Sequence, residues 1–145
     1  MKVGDNAPGF ELESNTGEKI KLSNYIGKKK VVLFFYVKDN TPGCTAEVIG
    51  IKNHHSKISD KYEVFGINQG SKESHTNFCQ KHGLTFRILE DKGKKVAALY
   101  HATGLLGAYT KRITYLIGLD GKIEKIVEGM GASNHIEFIQ GLTDY

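Results

Sequence analysis

The sequence predicts an α/β fold in which a central mixed sheet is flanked by helices. Residues 31–37 form a continuously apolar run rich in β-branched and aromatic side chains, which is typical of a central strand covered on both faces. Apolar runs then alternate with segments of helical periodicity, which favours parallel strands joined by helical crossovers. Two short strands around Asp120-Gly121, a type I′ turn signal, add an antiparallel pair at one side of the sheet.

The first part of the chain is predicted to form a β-hairpin, a strand and a helix. Residues 10–13 and 19–22 alternate apolar with polar side chains, and the turn-forming stretch Asn15-Thr16-Gly17 lies between them. The apolar strand at 31–37 follows. A turn-like stretch then leads into a helix predicted over 44–59, where apolar residues recur at helical spacing.

The remainder alternates strands with helices and ends on a helix. A strand at 62–67 is followed by a helix that begins after Ser71 or Ser74 and ends at Gly83. The predictions that follow are a short strand at 85–89, a helix at 94–101, a hairpin at 113–119 and 122–127, and a helix at 135–142 capped by Ser133. This element order is that of a thioredoxin-like fold with an N-terminal β-hairpin extension, and we expect one domain over residues 1–145.

Composition and charge narrow the class of protein. The 145 residues are 39% hydrophobic and 25% charged, with a net charge of +4, as in an ordinary globular domain. The lysine run at 28–30 has no aromatic residues interleaved, so we expect no nucleic-acid partner. Residues 1–10 lack the apolar stretch of a secretory signal, and no apolar run is long enough to span a bilayer. We therefore expect a cytoplasmic protein with no membrane association, in which two cysteines are redox-active or incidental.

Cys44 lies where the predicted central strand gives way to a helix. In open α/β sheets, functional groups sit outside the carboxyl ends of the strands. If the helix begins at Pro42 or Gly43, the thiol lies in its first turn, where free amide groups and the helix dipole favour a thiolate. The alternative is that Cys44 is a small buried hydrophobic residue, as most unpaired cysteines are.

Two other side chains could assist such a thiolate. Thr41, three residues before Cys44, can bring a hydroxyl beside it. Arg112 begins the strand predicted at 113–119, so its guanidinium could lie at a sheet end and supply charge and directed donors. A solvated strand-entry position for Arg112 remains an open alternative. Arg87, the other arginine, lies within a short strand and is expected to reach solvent.

Residues 34–47, Phe-Phe-Tyr-Val-Lys-Asp-Asn-Thr-Pro-Gly-Cys-Thr-Ala-Glu, resemble the peroxidatic loop of peroxiredoxins. The form Thr-Pro-Gly-Cys-Thr-x-Glu is similar to the bacterioferritin-comigratory-protein, or PrxQ, branch of that family. The similarity continues over nearly the whole chain, from the opening segment 3–10 to the segment 111–117. It implies a thiol-dependent peroxidase that reduces hydrogen peroxide and organic hydroperoxides without a cofactor or a metal ion.

The resemblance also implies roles for individual residues of this loop. Cys44 is the expected peroxidatic nucleophile, and Thr41 is expected to orient the peroxide with its hydroxyl. Arg112 is the expected cation that stabilises the thiolate and the transition state. Pro42 and Gly43 are the supporting residues of the motif, immediately before the nucleophile.

Three further positions show where the chain follows the family and where it departs from it. Glu47 matches a motif glutamate that helps to hold the arginine, although a solvated first-turn carboxylate is an open alternative. Val37 stands where the family's loop normally begins with proline, which puts the reaction rate in doubt. Ile49 occupies the position of the resolving cysteine of many members of the branch, so that route is closed.

Cys79 is the only other thiol, and it lies on the helix predicted to end at His82, on one face with His75 and Phe78. Some members of the branch place their resolving cysteine on this helix. The resemblance therefore implies an intramolecular Cys44–Cys79 disulfide, formed after local unwinding because a bridge needs Cα atoms within about 7 Å. It also implies a monomer reduced by thioredoxin or a similar dithiol protein. The alternative is a one-cysteine peroxidase in which Cys79 only packs and an external thiol acts.

Two other classes of function could use the same residues. A metal site would use the two cysteines with histidines such as His54 and His55, but no pair has the spacing of known ligands, so none is expected. A non-catalytic thioredoxin-like binding or redox-sensing module stays open because Val37 replaces the proline.

Overall fold

The computed structural model describes residues 1–142, which form seven strands and four α-helices. The strands are β1 (Glu11–Ser14), β2 (Lys19–Lys21), β3 (Lys30–Phe35), β4 (Tyr62–Asn68), β5 (Arg87–Glu90), β6 (Ile113–Ile117) and β7 (Ile123–Glu128). The helices are α1 (Pro42–Ile58), α2 (Lys72–His82), α3 (Lys95–Leu99) and α4 (Ala132–Leu142). No helix within the described residues is both long and apolar enough to cross a bilayer.

The strands form one mixed sheet in the order β2-β1-β5-β4-β3-β6-β7. β3, β4 and β5 run parallel, whereas β6 is antiparallel to β3 and β7 is antiparallel to β6. The β1–β2 hairpin extends the sheet by pairing with β5. The predicted thioredoxin-like α/β fold with its N-terminal hairpin is confirmed.

β3 is the central strand because its side chains are buried on both faces of the sheet. Val31, Leu33 and Phe35 pack into one apolar cluster, which includes residues of α3 and the hairpin. Val32 and Phe34 pack into the other cluster, which includes residues of α1, α2 and α4. The carboxyl end of β3 leads into the loop before α1. The helices α1 and α2 pack on the same face of the sheet, and each carries one of the two cysteines.

Some boundaries and one turn differ from the sequence-based predictions. β3 ends at Phe35, two residues early, and α4 begins at Ala132, so Ser133 lies inside the helix instead of capping it. The turn before β7 is not type I′, which requires positive φ at two central residues. Of Asp120 and Gly121, only Gly121 has a positive φ, at 80°. A hydrogen bond from Gly118 N to Lys122 O (2.8 Å) closes a longer loop instead.

Candidate active site

Cys44 lies in the first turn of α1 and is fully buried. Pro42 is the first helical residue, and Thr41 precedes it with extended backbone angles (φ −79°, ψ 148°). Amide groups of a first helical turn lack partners within the helix, so the sulfur lies at the positive end of the helix dipole. Burial thus agrees with the buried-hydrophobe alternative, and only the polar neighbours of Cys44 distinguish it from such a residue.

Arg112 is the polar neighbour of Cys44. Its Nη2 donates to Cys44 Sγ at 3.4 Å, its Nη1 donates to Glu47 Oε1 at 2.5 Å, and its Nε donates to the carbonyl oxygen of Met130 at 2.8 Å. The residue is only 5% exposed, so the solvated alternative is wrong. A planar fork with directed donors is needed to satisfy three acceptors at once, and a lysine ammonium lacks this geometry.

Gly43 allows this close approach of the guanidinium. A Cβ atom built on Gly43 would lie 2.9 Å from Arg112 Nη2, which is closer than van der Waals contact permits. Arg112 is itself positioned by β6, which begins at the next residue and pairs with β3. The helix start and the sheet end therefore fix the distance between sulfur and guanidinium from two sides.

Glu47 lies one turn after Cys44 and is fully buried, so the alternative of a solvated carboxylate is wrong. Burial raises the pKa of Glu47 to about 7, because the loss of hydration outweighs the attraction of the Arg112 guanidinium. Its Oε1 accepts from Arg112, whereas Oε2 has no hydrogen-bond partner. His135 Nδ1 lies 3.9 Å from Oε2.

His135 is a member of this network that the sequence did not reveal. Its Nε2 donates to the carbonyl oxygen of Gly129 at 2.9 Å, so its Nδ1 can accept from Thr114 Oγ1 at 2.7 Å. Burial lowers the pKa of His135, and nearby Arg112 acts in the same direction against the effect of the Gly129 hydrogen bond. The ring is therefore neutral at physiological pH, and it lies next to Glu47 without adding a charge.

Thr41 does not donate to Cys44 in this conformation. Its Oγ1 donates instead to the carbonyl oxygen of Lys38 at 2.9 Å, within the loop before α1. The hydroxyl would have to rotate, or accept through its oxygen, to contact a peroxide. Its role in orienting the substrate stays a prediction.

Cys79 lies on α2 and is a free, buried thiol, as is Cys44. Burial raises the pKa of Cys79 to about 12, and the nearby Asp39 carboxylate acts in the same direction. The thiol is therefore protonated in this conformation. Within residues 1–142, no three His, Cys, Asp or Glu side chains are grouped as a metal ion would require.

Taken together, these residues form a site suited to nucleophilic sulfur chemistry. A sulfur atom at a helix N-terminus contacts a fixed guanidinium, which can stabilise negative charge on the sulfur or on a departing oxygen. The second thiol lies in the same apolar cluster of the fold as the first. A nucleophile, a cation and a second thiol are the groups that thiol-based redox chemistry needs.

Comparisons with known proteins agree with this geometry. The family described as AhpC/TSA matches residues 3–126 of the chain. Peroxiredoxin Bcp of Bacillus subtilis is 35% identical over 99% of this chain and 96% of its own length. Peroxiredoxin Bcp of Escherichia coli is 32% identical over 96% of this chain and 93% of its own.

A solved structure shows the same architecture. The crystal structure of peroxidoxin BcpB from Mycobacterium tuberculosis superposes with a TM-score of 0.89 at 28% identity, over 99% of this chain and 97% of its own. The agreement extends through both the sheet and the helices, since nearly every residue of each chain is matched. The chain belongs to the AhpC/TSA family, as a peroxiredoxin of the Bcp/PrxQ branch.

Proposed function

We propose that this thiol peroxidase reduces hydrogen peroxide and organic hydroperoxides with Cys44 as its nucleophile, and that Cys79 then resolves the oxidised Cys44. The observation that carries the proposal is the contact of 3.4 Å between Arg112 Nη2 and Cys44 Sγ at the start of α1. A buried cysteine that served only as a hydrophobic residue would gain nothing from a buried guanidinium.

In the first step, the Cys44 thiolate attacks one oxygen of the peroxide and the O–O bond breaks. The sulfur loses two electrons and becomes a sulfenic acid, while the other oxygen leaves as hydroxide or alkoxide and takes up a proton. Arg112 stabilises the negative charge as it moves from sulfur to the leaving oxygen. Glu47 holds the guanidinium in place through its short contact with Nη1.

In the second step, Cys79 attacks the sulfenic sulfur, water leaves, and a Cys44–Cys79 disulfide forms. The protonated, buried state of Cys79 opposes this attack in the folded conformation, because the thiolate is the nucleophile. We therefore propose that α2 unwinds locally, from its first turn through Cys79, before the disulfide forms. Exposure to water would return the pKa of Cys79 towards its ordinary value.

The burial of Cys79 also favours a second candidate, a one-cysteine peroxidase. If α2 stayed folded, Cys79 would remain inaccessible and an external thiol would reduce Cys44 directly. The two candidates share the first step and differ only in whether α2 opens.

We propose thioredoxin or a similar dithiol protein as reductant, acting by exchange through a mixed disulfide. A monomer in the cytoplasm fits this cycle, since both cysteines of the proposed disulfide come from one chain. A reducing compartment would also supply the dithiol partner.

The proposal is tested by peroxide consumption with two reductants and three proteins. The wild type, Cys44→Ser and Cys79→Ser are assayed with thioredoxin, its reductase and NADPH, and separately with dithiothreitol. We expect Cys44→Ser to be inactive with both reductants. Cys79→Ser should retain activity with dithiothreitol and lose most of it with thioredoxin. Full activity of Cys44→Ser would contradict the nucleophile, and full thioredoxin-dependent activity of Cys79→Ser would favour the one-cysteine candidate.

A further inference from the structure

A buried polar cluster outside the Arg112 site joins the two segments that carry the cysteines. Its members lie at the end of β3, in the loop before α1, at the end of β4 and in the first turns of α2. Four of them are buried and Ser74 is half-buried. The cluster consists of Tyr36, Asp39, Asn68, Ser74 and His75.

Asp39 is the centre of this cluster because its carboxylate accepts three hydrogen bonds. Tyr36 Oη donates to Oδ1 at 2.5 Å, while Ser74 Oγ and His75 Nδ1 donate to Oδ2 at 2.6 and 2.8 Å. Burial acts to raise the pKa of Asp39, but these hydrogen bonds outweigh it and hold the pKa below its usual value. Asp39 is thus an ionised carboxylate held from the sheet on one side and from α2 on the other.

His75 forms a buried hydrogen bond with Asp39. Its Nδ1 faces the carboxylate, and its Nε2 lies 3.2 Å from the carbonyl oxygen of Asn68, which also only accepts. The hydrogen bond from Nδ1 to Asp39 therefore joins α2 to the loop before α1. Removing His75 would leave the buried Asp39 carboxylate with one hydrogen bond fewer, so this contact helps to hold the two elements together.

Asn68 ties the same loop to the sheet. Its Nδ2 donates to the carbonyl oxygens of Tyr36 and Val37 at 2.8 and 2.9 Å, and its Oδ1 accepts from the amide of Gly70 at 2.8 Å. The chain just after β3 is therefore fixed to the end of β4, independently of α2. When the first turns of α2 unwind, the hydrogen bonds from Ser74 and His75 to Asp39 would break.

The cluster is linked to both thiols. Asp39 precedes Cys44 by five residues, and His75 precedes Cys79 by one helical turn on the same buried face of α2. Burial and Asp39 raise the pKa of Tyr36, and both thiols add to the effect, so its hydroxyl is within electrostatic range of each. Unwinding of α2 from its first turn through Cys79 would require Ser74 and His75 to leave Asp39.

We propose that Asp39, Ser74 and His75 act as positioning residues that hold α2 closed while Cys44 reacts with peroxide, and that release of this contact limits the rate of disulfide formation. This inference rests on the proposed role of Cys79 as the resolving cysteine. It requires no additional reagent: Cys79 loses its proton, its sulfur bonds to the Cys44 sulfur, and the sulfenic oxygen leaves as water. The contact sets how long the sulfenic acid persists, and so how readily a second peroxide oxidises it to the sulfinic acid.

The test is a rapid-quench measurement on the full chain. Wild type, His75→Gln, Ser74→Ala and the control Glu73→Gln are mixed with hydrogen peroxide, quenched with acid and alkylated, and the sulfenic and disulfide forms are counted by mass spectrometry. Glu73 is an exposed residue in the same first turn of α2 with no contact to the cluster, so its variant reports the effect of a first-turn change alone.

We expect disulfide formation to be about fivefold faster in Ser74→Ala, which loses one hydrogen bond, and at least about tenfold faster in His75→Gln, which loses a charged one. Glu73→Gln should match the wild type. The rate of sulfenic acid formation should stay unchanged in Ser74→Ala, and the peroxide concentration that gives sulfinic acid should rise with the disulfide rate. A merely structural role would lower stability without changing the ratio of the two rates.

Separate outcomes would contradict the positioning role and the resolving function of Cys79. An unchanged disulfide rate in Ser74→Ala, a mild variant chosen because it should fold, would overturn the positioning role, as would an equal acceleration in Glu73→Gln. If the wild type itself formed no Cys44–Cys79 disulfide, the proposed resolving function would fail instead, whatever the variants did.

Discussion

Cys44 and Cys79 are both buried in the same apolar cluster, yet their surroundings are opposite in charge. Cys44 lies at a helix N-terminus and accepts a hydrogen bond from Arg112. Cys79 lies in the middle of a helix, where burial and the Asp39 carboxylate raise its pKa to about 12. Burial alone therefore does not decide what a thiol can do, because the sign of the nearest fixed charge separates the two.

The carboxylates beside the two cysteines show the same contrast. Glu47, near Cys44, has one oxygen without a partner, and burial raises its pKa to about 7. Asp39, near Cys79, accepts three hydrogen bonds that hold its pKa below its usual value. A cation thus contacts Cys44, whereas a carboxylate acts on Cys79. In the proposed cycle, this difference is the reason that Cys44 reacts first and that Cys79 reacts only after a change of conformation.

The largest expected effect is on the alkylation of Cys79. A thiol with a pKa of about 12 has a far smaller thiolate fraction near pH 7 than an ordinary one. Iodoacetamide should therefore modify Cys79 about a thousandfold more slowly in the native protein than in urea. Peptide mapping of a time course would measure both rates. Equal rates in the two states would contradict a raised pKa for Cys79 in the folded protein.

The next largest effect is expected for Arg112→Lys. Lysine keeps the charge but cannot contact Cys44, Glu47 and the Met130 carbonyl together, so the rate of Cys44 oxidation should fall by about two orders of magnitude. The matched control is Arg87→Lys, since Arg87 pairs with Glu63 and Glu18 away from this site. Competition kinetics against a second peroxidase would give both rates, and a similar loss in the control would contradict the role of Arg112.

Glu47→Gln tests whether the Glu47 carboxyl, unlike that of Asp39, has a raised pKa. The folded-state pKa of Glu47 lies above its unfolded value, so its stabilising effect is fully present below about pH 4.5 and is lost as pH rises to about 7. Wild-type stability, measured by urea unfolding relative to the glutamine variant, should thus fall by at most about 3 kcal/mol across that window. A difference that grows with pH instead would mean that Arg112 keeps Glu47 ionised.

The smallest effect is expected for Val37→Pro, which places the family's residue in the loop before α1. The amide of Val37 donates no hydrogen bond among the described residues, so proline would remove none. We expect the free energy of unfolding to rise by about 0.5 kcal/mol through loss of chain entropy in the unfolded state. Urea unfolding would measure it, together with peroxide reactivity, which should not fall. Lower stability would show that the loop backbone rejects proline.

Local patterns were enough to predict the fold and the position of Cys44. The apolar run of β3, the Ser71 cap and Gly83 at the end of α2 are short-range signals, and each predicted its element. The Ser133 cap failed because α4 begins one residue before it, and a cap signal does not reveal which nearby residue starts the helix. The turn at Asp120-Gly121 failed because a longer loop with one left-handed glycine serves the same strands.

The rest of the site depends on contacts between residues far apart in the chain. No sequence pattern indicated a role for His135. Its hydrogen-bond partner Thr114 lies 21 residues earlier, in strand β6, and only the fold brings the two together. Asp39 and His75 are 36 residues apart, and neither lies in a sequence pattern that indicates a buried hydrogen bond between them. Such side chains are expected to be solvated unless the fold brings a partner to them, so sequence reasoning alone favours exposure.

The central claim is that Cys44 is oxidised by peroxide and then resolved by Cys79. The most direct measurement is peptide mapping by mass spectrometry, without reduction, after the reduced protein has met one equivalent of hydrogen peroxide. The account predicts a single cross-linked species in which the Cys44 peptide is joined to the Cys79 peptide. A sulfinic acid at Cys44 with Cys79 still free would contradict resolution by Cys79, and an unmodified Cys44 would contradict the nucleophile itself.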